Sequence, residues 1–437
     1  MSAAAATGAA VVIEKLIPDG KALGRLTDGR VVIASGPVPG DRIELEAVSE
    51  TKGLVTVRAF RLIEASPLRV APSCPYAERC GGCDWMVLPL AEQRRQKLEI
   101  LKEALLRTGK IDWRGPLELV AGGSAEGYRG RVRLQIGAGR VGFYHRRSHE
   151  LVEPDVCAVS TARVNAALRE LRELARVQPE ALGAFAWLEV REASDGTVSI
   201  LLEPQARAPA RDTAAWLAAL RERYVVAVRG EPTARDQWQR FDLTDDSYML
   251  SAPPGFVQVN WEVNRLLIAD VVAGVAARGV RTFLDAYAGS GNFTLPLLAR
   301  GLEGLSVESN ASAVAPLVEA ARRQGFDAAE LVVADAAEHA RGLARAGRRF
   351  DLVLVDPPRA GLGGGLEPLA RLAQRWFLMC SCNPVTLARD LRQLLERGFE
   401  LEALRAFDMF PQTHHVEALA WLRAPDALSD RQTAAVR

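Results

Sequence analysis

Cys380 and Cys382, one serine apart in WFLMCSCNPVTLARD, are the first residues to raise a chemical question. An apolar run leads into them and Asn383-Pro384 follows. This reads as a buried strand stopped by proline, which cannot extend a sheet ladder. Alternation puts both cysteines on one face of that strand. Cys382 lies at the carboxyl end, where a parallel sheet opens its ligand crevice. The expectation is a core role for Cys380 and a cleft-facing, reactive thiol at Cys382.

A thiol there needs a reaction partner. In FLDAYAGSGNFTLPLL (283–298) a strand runs through a glycine turn into a helix. Gly289 and Gly291 let the backbone approach a ligand at the helix N-terminus. Thr294 stands where a dinucleotide fingerprint carries its third glycine. The next strand ends in Glu308, 23 residues after Asp285, suited to the two hydroxyls of a ribose. A third ends in Asp335, placed for an adenine edge. Strand-end acids with a ribose, an adenine and no phosphate suit S-adenosylmethionine.

A cysteine beside a methyl donor fits one scheme well. C5 of uracil is a poor nucleophile until a thiolate adds at C6. C5 then takes the methyl, and a base removes the C5 proton so that the thiolate leaves. The base candidate is Glu417 in PQTHHVEALAWL, just inside an apolar strand where burial raises a carboxyl pKa. His414 and His415 are rival bases. The fourth strand ends VDPPRAGL; Arg359 stands where amine-methylating enzymes place an aromatic, which disfavours amine chemistry.

The other four cysteines are Cys74, Cys80 and Cys83, spaced C-x5-C-x2-C, and the distant Cys157. Four thiolates suit zinc or an iron–sulfur cluster. A single C-x2-C pair with a remote fourth ligand tilts the reading to [4Fe–4S].

The elements around these residues form three units. Residues 1–70 read as short strands between turn signals, an OB-like β-barrel. The cysteine segment spans 71–90. A helix in 91–115, with Leu98, Ile100, Leu101, Leu105 and Leu106 along one side, is expected to pack on the catalytic unit. Residues 116–250 form a central α+β unit containing Cys157, and 251–437 a doubly wound α/β sheet. At 437 residues several cores are required, and 49% apolar residues can fill them. The net charge of +1 leaves nucleic-acid binding to local patches. With neither signal peptide nor membrane span, the expected setting is cytoplasmic, where cysteines serve metals or catalysis.

Taken together, CPYAERCGGC with Cys157, GFVQVN, DAYAGSGNFT, VDPPRAGL, SCNPVTLARD and HHVEAL resemble the bacterial RNA 5-methyluridine methyltransferases. The resemblance covers essentially the whole chain and is to the 23S ribosomal RNA type, with a TRAM barrel and a [4Fe–4S] cluster. It implies Cys382 as nucleophile and Glu417 as base. It also implies Gln258, Tyr287, Asn292, Glu308 and Asp335 as cofactor contacts, and Asp356 in the shared cofactor and uracil pocket. Cys157 becomes the fourth cluster ligand, and the catalytic sheet a class I, Rossmann-like methyltransferase. The chain departs from the family habit at Asp84, where many members carry Gln.

RNA, 23S ribosomal RNA first, is the implied partner of a monomer. A transfer RNA substrate is the alternative within this chemistry; a non-catalytic assembly factor is the alternative outside it. Arg129, Arg131 and Arg133 share a strand face and are expected to track phosphates. Phe143 and Tyr144, beside Arg146 and Arg147, suit stacked single-stranded RNA.

Overall fold

The computed structural model describes residues 6–146, 148–206, 213–326 and 329–425. Arg147 lies outside them. Strands β1 (Ala10–Ile17), β2 (Lys21–Arg25), β3 (Val31–Ser35), β4 (Arg42–Thr51) and β5 (Leu54–Glu64) close into a barrel of order β1-β2-β3-β5-β4. Alternation turns Val11, Ile13, Ile43, Leu45, Val55 and Val57 inward. Register shifts in the long β4–β5 pair supply the curvature that closure needs. Trp85, Leu88 and Ile100, from outside the barrel, complete its core.

Helix α1 (Leu90–Ala104) follows the cysteine segment and runs into a π-turn, Leu105–Gly109. Leu101, Ala104 and Leu105 enter the catalytic core. Leu106, expected on the same side, is 55% exposed. The wider i→i+5 turn changes the helical phase there, turning Leu105 in and Leu106 out.

The central sheet has order β12-β11-β10-β7-β8-β9. Its strands are β7 (Arg131–Gly137), β8 (Arg140–Tyr144), β9 (Leu151–Val152), β10 (Phe185–Glu192), β11 (Val198–Pro204) and β12 (Val225–Val228). Helix α2 (Ala162–Val177), the one-turn α3 (Pro179–Leu182) and α4 (Ala214–Arg221) complete this unit. Leu168 and Leu171 of α2 and Trp216 of α4 meet Val132, Leu188 and Ile200 of the sheet. Both ends of the span 116–250 pack with the third unit instead. β6 (Leu119–Val120) joins its sheet, and the hairpin β13 (Gln239–Asp242)–β14 (Tyr248–Ser251) gives it Phe241, Met249 and Leu250.

The third unit is an eight-stranded sheet of order β17-β16-β15-β18-β19-β21-β20-β6. In chain order it comprises α5 (Trp261–Ala277), β15 (Thr282–Ala286), α6 (Thr294–Ala299), β16 (Glu303–Glu308), α7 (Ala311–Arg323), β17 (Glu330–Val333), α8 (Ala336–Arg345), β18 (Phe350–Val355), α9 (Leu366–Leu372), β19 (Ala373–Ser381), α10 (Pro384–Leu395), β20 (Glu400–Phe407) and β21 (Glu417–Arg423). This is the doubly wound fold expected, with one reversal: β21 runs antiparallel to both of its neighbours. The reversal matters for chemistry, because β21 begins at the edge where the parallel strands end.

Candidate active site

Three strands converge on one point of the crevice. Asp356 follows β18, Cys380 lies at the end of β19 with Cys382 just beyond it, and Glu417 opens β21. Val355 pairs with Met379, which sets Asp356 beside Cys380. Ser381 pairs with Ala418, so the register continued by one residue sets Cys382 opposite Glu417. Cys380 is buried and Cys382 half-buried, as the alternation and strand-end argument requires.

Cys380 is more than core filling. Its Sγ donates to Glu417 Oε1 at 3.4 Å. Ligand atoms of Asp356, Cys380 and Glu417 lie within 4.8 Å of one another. Burial, then the neighbouring Asp356, pushes the Glu417 carboxyl well above the ordinary glutamate range; Cys380 and Arg359 pull it back. Asp356 is also raised by burial. Two carboxyls this close disfavour ionising together.

The Cys382 thiol is pushed up to about 11, first by burial and then by Glu417. Two features oppose that rise. Arg359 faces the thiol with its positive charge. Cys382 also lies just before α10, whose N-cap Asn383 accepts from Val385 N at 3.0 Å and Thr386 N at 3.4 Å. A helix N-terminus favours a thiolate. The Arg359 carbonyl accepts from Asn383 Nδ2 (3.2 Å) and Thr386 Oγ1 (3.1 Å), which pins the Asp-Pro-Pro-Arg turn to the cysteine turn. His414 and His415 wall the same pocket, with Pro18 and Asp19 from the barrel. Burial holds His415 neutral, with its pKa lowered to about 3.

The cofactor side is built by the turn after β15. Tyr287 adopts φ 88°, unusual for a non-glycine residue, and its N–H donates to Val307 O at 2.9 Å. Gly289 N donates to Glu308 Oε2 at 3.0 Å, and Asn310 N to Oε1 at 2.8 Å, fixing that carboxylate at the end of β16. Asn292 and the fully buried Asn264 exchange amide hydrogen bonds of 3.0 and 2.8 Å. Asp335 caps α8 through Glu338 N at 2.8 Å, which occupies one carboxylate oxygen. Gln258 is half-buried in the loop before α5. Asp285 accepts from Thr294 Oγ1 at 2.7 Å, and its other oxygen is buried without a partner. Burial raises it to about 7.

Cys74, Cys80, Cys83 and Cys157 line one cavity with Met86 and Phe143. Asn165 of α2 brings Cys157 in, accepting from its N–H at 2.8 Å and donating to its carbonyl at 3.1 Å. Gly82 N donates to Cys80 Sγ at 3.4 Å. Burial, then the neighbouring sulfurs, raises the Cys83 thiol to about 12. Such crowding favours a cationic centre that takes the thiolates. Four thiols lining one cavity form a donor set that suits a metal centre.

The arginine row is not a free phosphate track. Glu189, buried on β10, takes Arg131 in two bonds of 2.7 and 2.9 Å and reaches Arg133 at 3.4 Å. Arg133 stacks over Trp187 at 4.0 Å, and Arg129 lines the cysteine cavity. A cleft of about 1000 Å³ lies between the barrel (Ser35, Phe60) and the hairpin residues Tyr144, Arg146 and His149, and it reaches Asp19 of the Cys382 pocket. Sequence reasoning missed three parts of the site: Arg359 as a neighbour of the thiol, Cys380 as a partner of Glu417, and the barrel wall. The position of Arg359 directly after Asp-Pro-Pro was the available signal for the first.

Residues 241–424 match the family described as tRNA (Uracil-5-)-methyltransferase. Over 94% of its length the chain is 34% identical to the 23S rRNA (uracil(1939)-C(5))-methyltransferase RlmD of Pseudomonas putida, covering 93% of that protein. It is equally similar, 34% over 97% of the chain and 91% of the relative, to RlmD of Halomonas elongata. The crystal structure of a Pyrococcus abyssi tRNA (uracil-54, C5)-methyltransferase with S-adenosyl-L-homocysteine superposes with TM-score 0.72 at 26% identity. That match covers 95% of this chain and all of the other.

Proposed function

Because the chain belongs to the RlmD-type RNA uracil-C5 methyltransferases, we propose that it methylates C5 of a uridine in 23S ribosomal RNA by covalent catalysis. S-adenosylmethionine supplies an electrophilic methyl group. Tyr287, Asn292, Glu308 and Asp335 bind it at the strand ends, with Gln258 beside the transfer point. Glu308 takes the ribose and the free oxygen of Asp335 the adenine.

The target base leaves its stack to enter the pocket. Cys382 Sγ adds to C6 while Arg359 and the α10 N-terminus support the thiolate. Asp356 holds the uracil edge. After C5 has gained its methyl, Glu417 removes the C5 proton, and the Cys382 thiolate departs as the C5–C6 double bond re-forms. Glu417 suits this step better than His415: its basicity is raised toward neutrality, that of His415 lowered far below it. The observation that carries the reading is the register that sets Cys382 opposite Glu417, with Asp356 alongside.

The four cysteines would hold a [4Fe–4S] cluster. No step of the chemistry runs through it; its thiolate bonds tie the 74–83 loop to the central unit at Cys157. The reading is completed by a monomer working in the cytoplasm. The archaeal structure favours a second substrate, transfer RNA. Methyl transfer from labelled S-adenosylmethionine to unmodified 23S and transfer RNA, with nucleoside identification, separates the two. Label in 5-methyluridine of 23S RNA is expected. Label only in transfer RNA replaces the substrate, and an N-methylated nucleoside removes Cys382 as nucleophile.

A further inference from the structure

We infer that Asp84 is a positioning residue for this chemistry: it anchors two adjoining histidines that hold Arg359 against Cys382. The inference rests on the reading of Cys382 as the nucleophile. Asp84 grips His414 at two points. Its Oδ1 accepts from the His414 backbone N–H at 3.2 Å, and its Oδ2 lies 2.6 Å from ring Nδ1. The His414 ring lies 4.0 Å from that of His415, centroid to centroid. Both ring nitrogens of His415 lie near Arg359 Nη2, at 3.3 and 3.4 Å. Arg359, Cys382, His414 and His415 then line one pocket. The contacts run from the residue after Cys83 to Arg359, which shares its pocket with the thiol.

Other groups carry the fold of this loop. Trp85 N donates to Gln412 O at 3.0 Å, and Gln93 exchanges two hydrogen bonds with Gln412, at 2.8 and 2.9 Å. Lys97 holds Asp408 and the Phe410 carbonyl, and Tyr128 the Pro411 carbonyl. All of these anchors stop at Gln412. Beyond it, Thr413 Oγ1 donates to the Phe410 carbonyl at 2.8 Å and accepts from His415 N at 3.3 Å, Phe410 packs edge-on against the His415 ring, and Asp84 holds His414 by backbone and ring together. The barrel closes over the pair: a Cβ on Gly20 would come within 2.3 Å of Asp84 Oδ2 and 2.7 Å of His414 Nδ1. Asp84 therefore joins barrel, cysteine loop and catalytic pocket at one place, through geometry that needs no change of charge.

The test uses full-length, anaerobically prepared protein with iron and sulfide content measured. The readout is the rate of Cys382 alkylation by iodoacetamide, located by peptide mass spectrometry, alongside methyl transfer. Asp84→Ala is expected to slow Cys382 alkylation about 3- to 10-fold, the range a single lost hydrogen bond imposes. Asp84→Asn offers a carbonyl and an amide to the same two partners and stays within about 2-fold of wild type. In an Arg359→Ala background Asp84→Ala adds nothing, because both changes break one chain of contacts. An unchanged alkylation rate in Asp84→Ala overturns the inference. So do independent, multiplying effects of the two changes, or a loss that only follows lost iron. Failure of the nucleophile reading is seen separately, as normal methylation by Cys382→Ala.

Discussion

Glu417→Gln separates the steps of the proposed reaction. Glutamine keeps the size of the side chain and an Oε1 that accepts from Cys380, so the 3.4 Å contact survives. It cannot take the C5 proton. General-base catalysis contributes about 10²–10⁴ in rate, which at ~1.4 kcal/mol per decade is about 3–5 kcal/mol of barrier. Addition of Cys382 and methyl transfer precede the base and are untouched. The variant should therefore stop at a thioether between Cys382 Sγ and C6 of a uracil already methylated at C5. Denaturing gels with labelled RNA, and in parallel with labelled methyl, detect it as an SDS-stable complex carrying both labels. Wild-type turnover would refute the role of Glu417. Slow turnover with no covalent complex would refute the order of steps.

The same variant has a pH signature. Burial raises Glu417 above its ordinary 4.5, so the folded protein keeps a proton that the unfolded chain releases. A raised carboxyl costs stability as pH climbs from the unfolded value through the folded one. Glutamine has no such penalty. The melting temperature of Glu417→Gln should exceed that of wild type by more at pH 9 than at pH 5. In wild type, the ascending limb of the pH–rate profile should lie above the ordinary glutamate range. A melting difference independent of pH would contradict the buried, raised carboxyl.

Cys380→Ala removes a hydrogen bond that lowers Glu417, so the ascending limb of the pH–rate profile should move to higher pH; an unmoved limb would return Cys380 to simple core packing. Asn292→Ala strands the buried amide of Asn264 at about 1–3 kcal/mol, and should lower the melting temperature and weaken S-adenosylmethionine binding by calorimetry. Lys97→Met leaves Asp408 buried without its 2.6 Å partner, a loss of about 3–5 kcal/mol; Arg94, 3.3 Å from the same carboxylate, draws the value to the lower end in urea unfolding.

The site was legible where its chemistry is local. A strand that ends in Ser-Cys-Asn-Pro announces a half-buried thiol by alternation and proline alone. A glycine turn between strand and helix announces a ligand in the same way. What escaped depends on pairing between distant segments. The arginine row follows from period two, but the carboxylate that intercepts it is Glu189 on β10, visible only once β7 and β10 are in register. Cys380 faces inward as alternation says, yet the acids it meets come from β18 and β21. Asp84 and His414 lie 330 positions apart, and nothing in either local sequence points to the other. Leu106 fails for another reason: a π-turn changes the period that the helical pattern assumes.

Substrate choice follows a separate logic. The resemblance, with its TRAM barrel, pointed to ribosomal RNA, but the archaeal transfer RNA enzyme superposes over its whole length. The overall fold therefore does not by itself separate the two substrates. The proposed catalytic groups are indifferent too, since in the proposed reaction Cys382, Glu417 and Asp356 meet only the uracil ring. Discrimination must lie farther out, where Pro18 and Asp19 wall the pocket and the cleft passes Phe60, Tyr144 and Arg146. Identity of 34% to the ribosomal enzymes over 94% of the chain weighs toward ribosomal RNA. On the proposed reading the chemistry and the choice of RNA draw on different residues, so substitutions in the barrel wall should change which of labelled 23S and transfer RNA is methylated while the product stays 5-methyluridine.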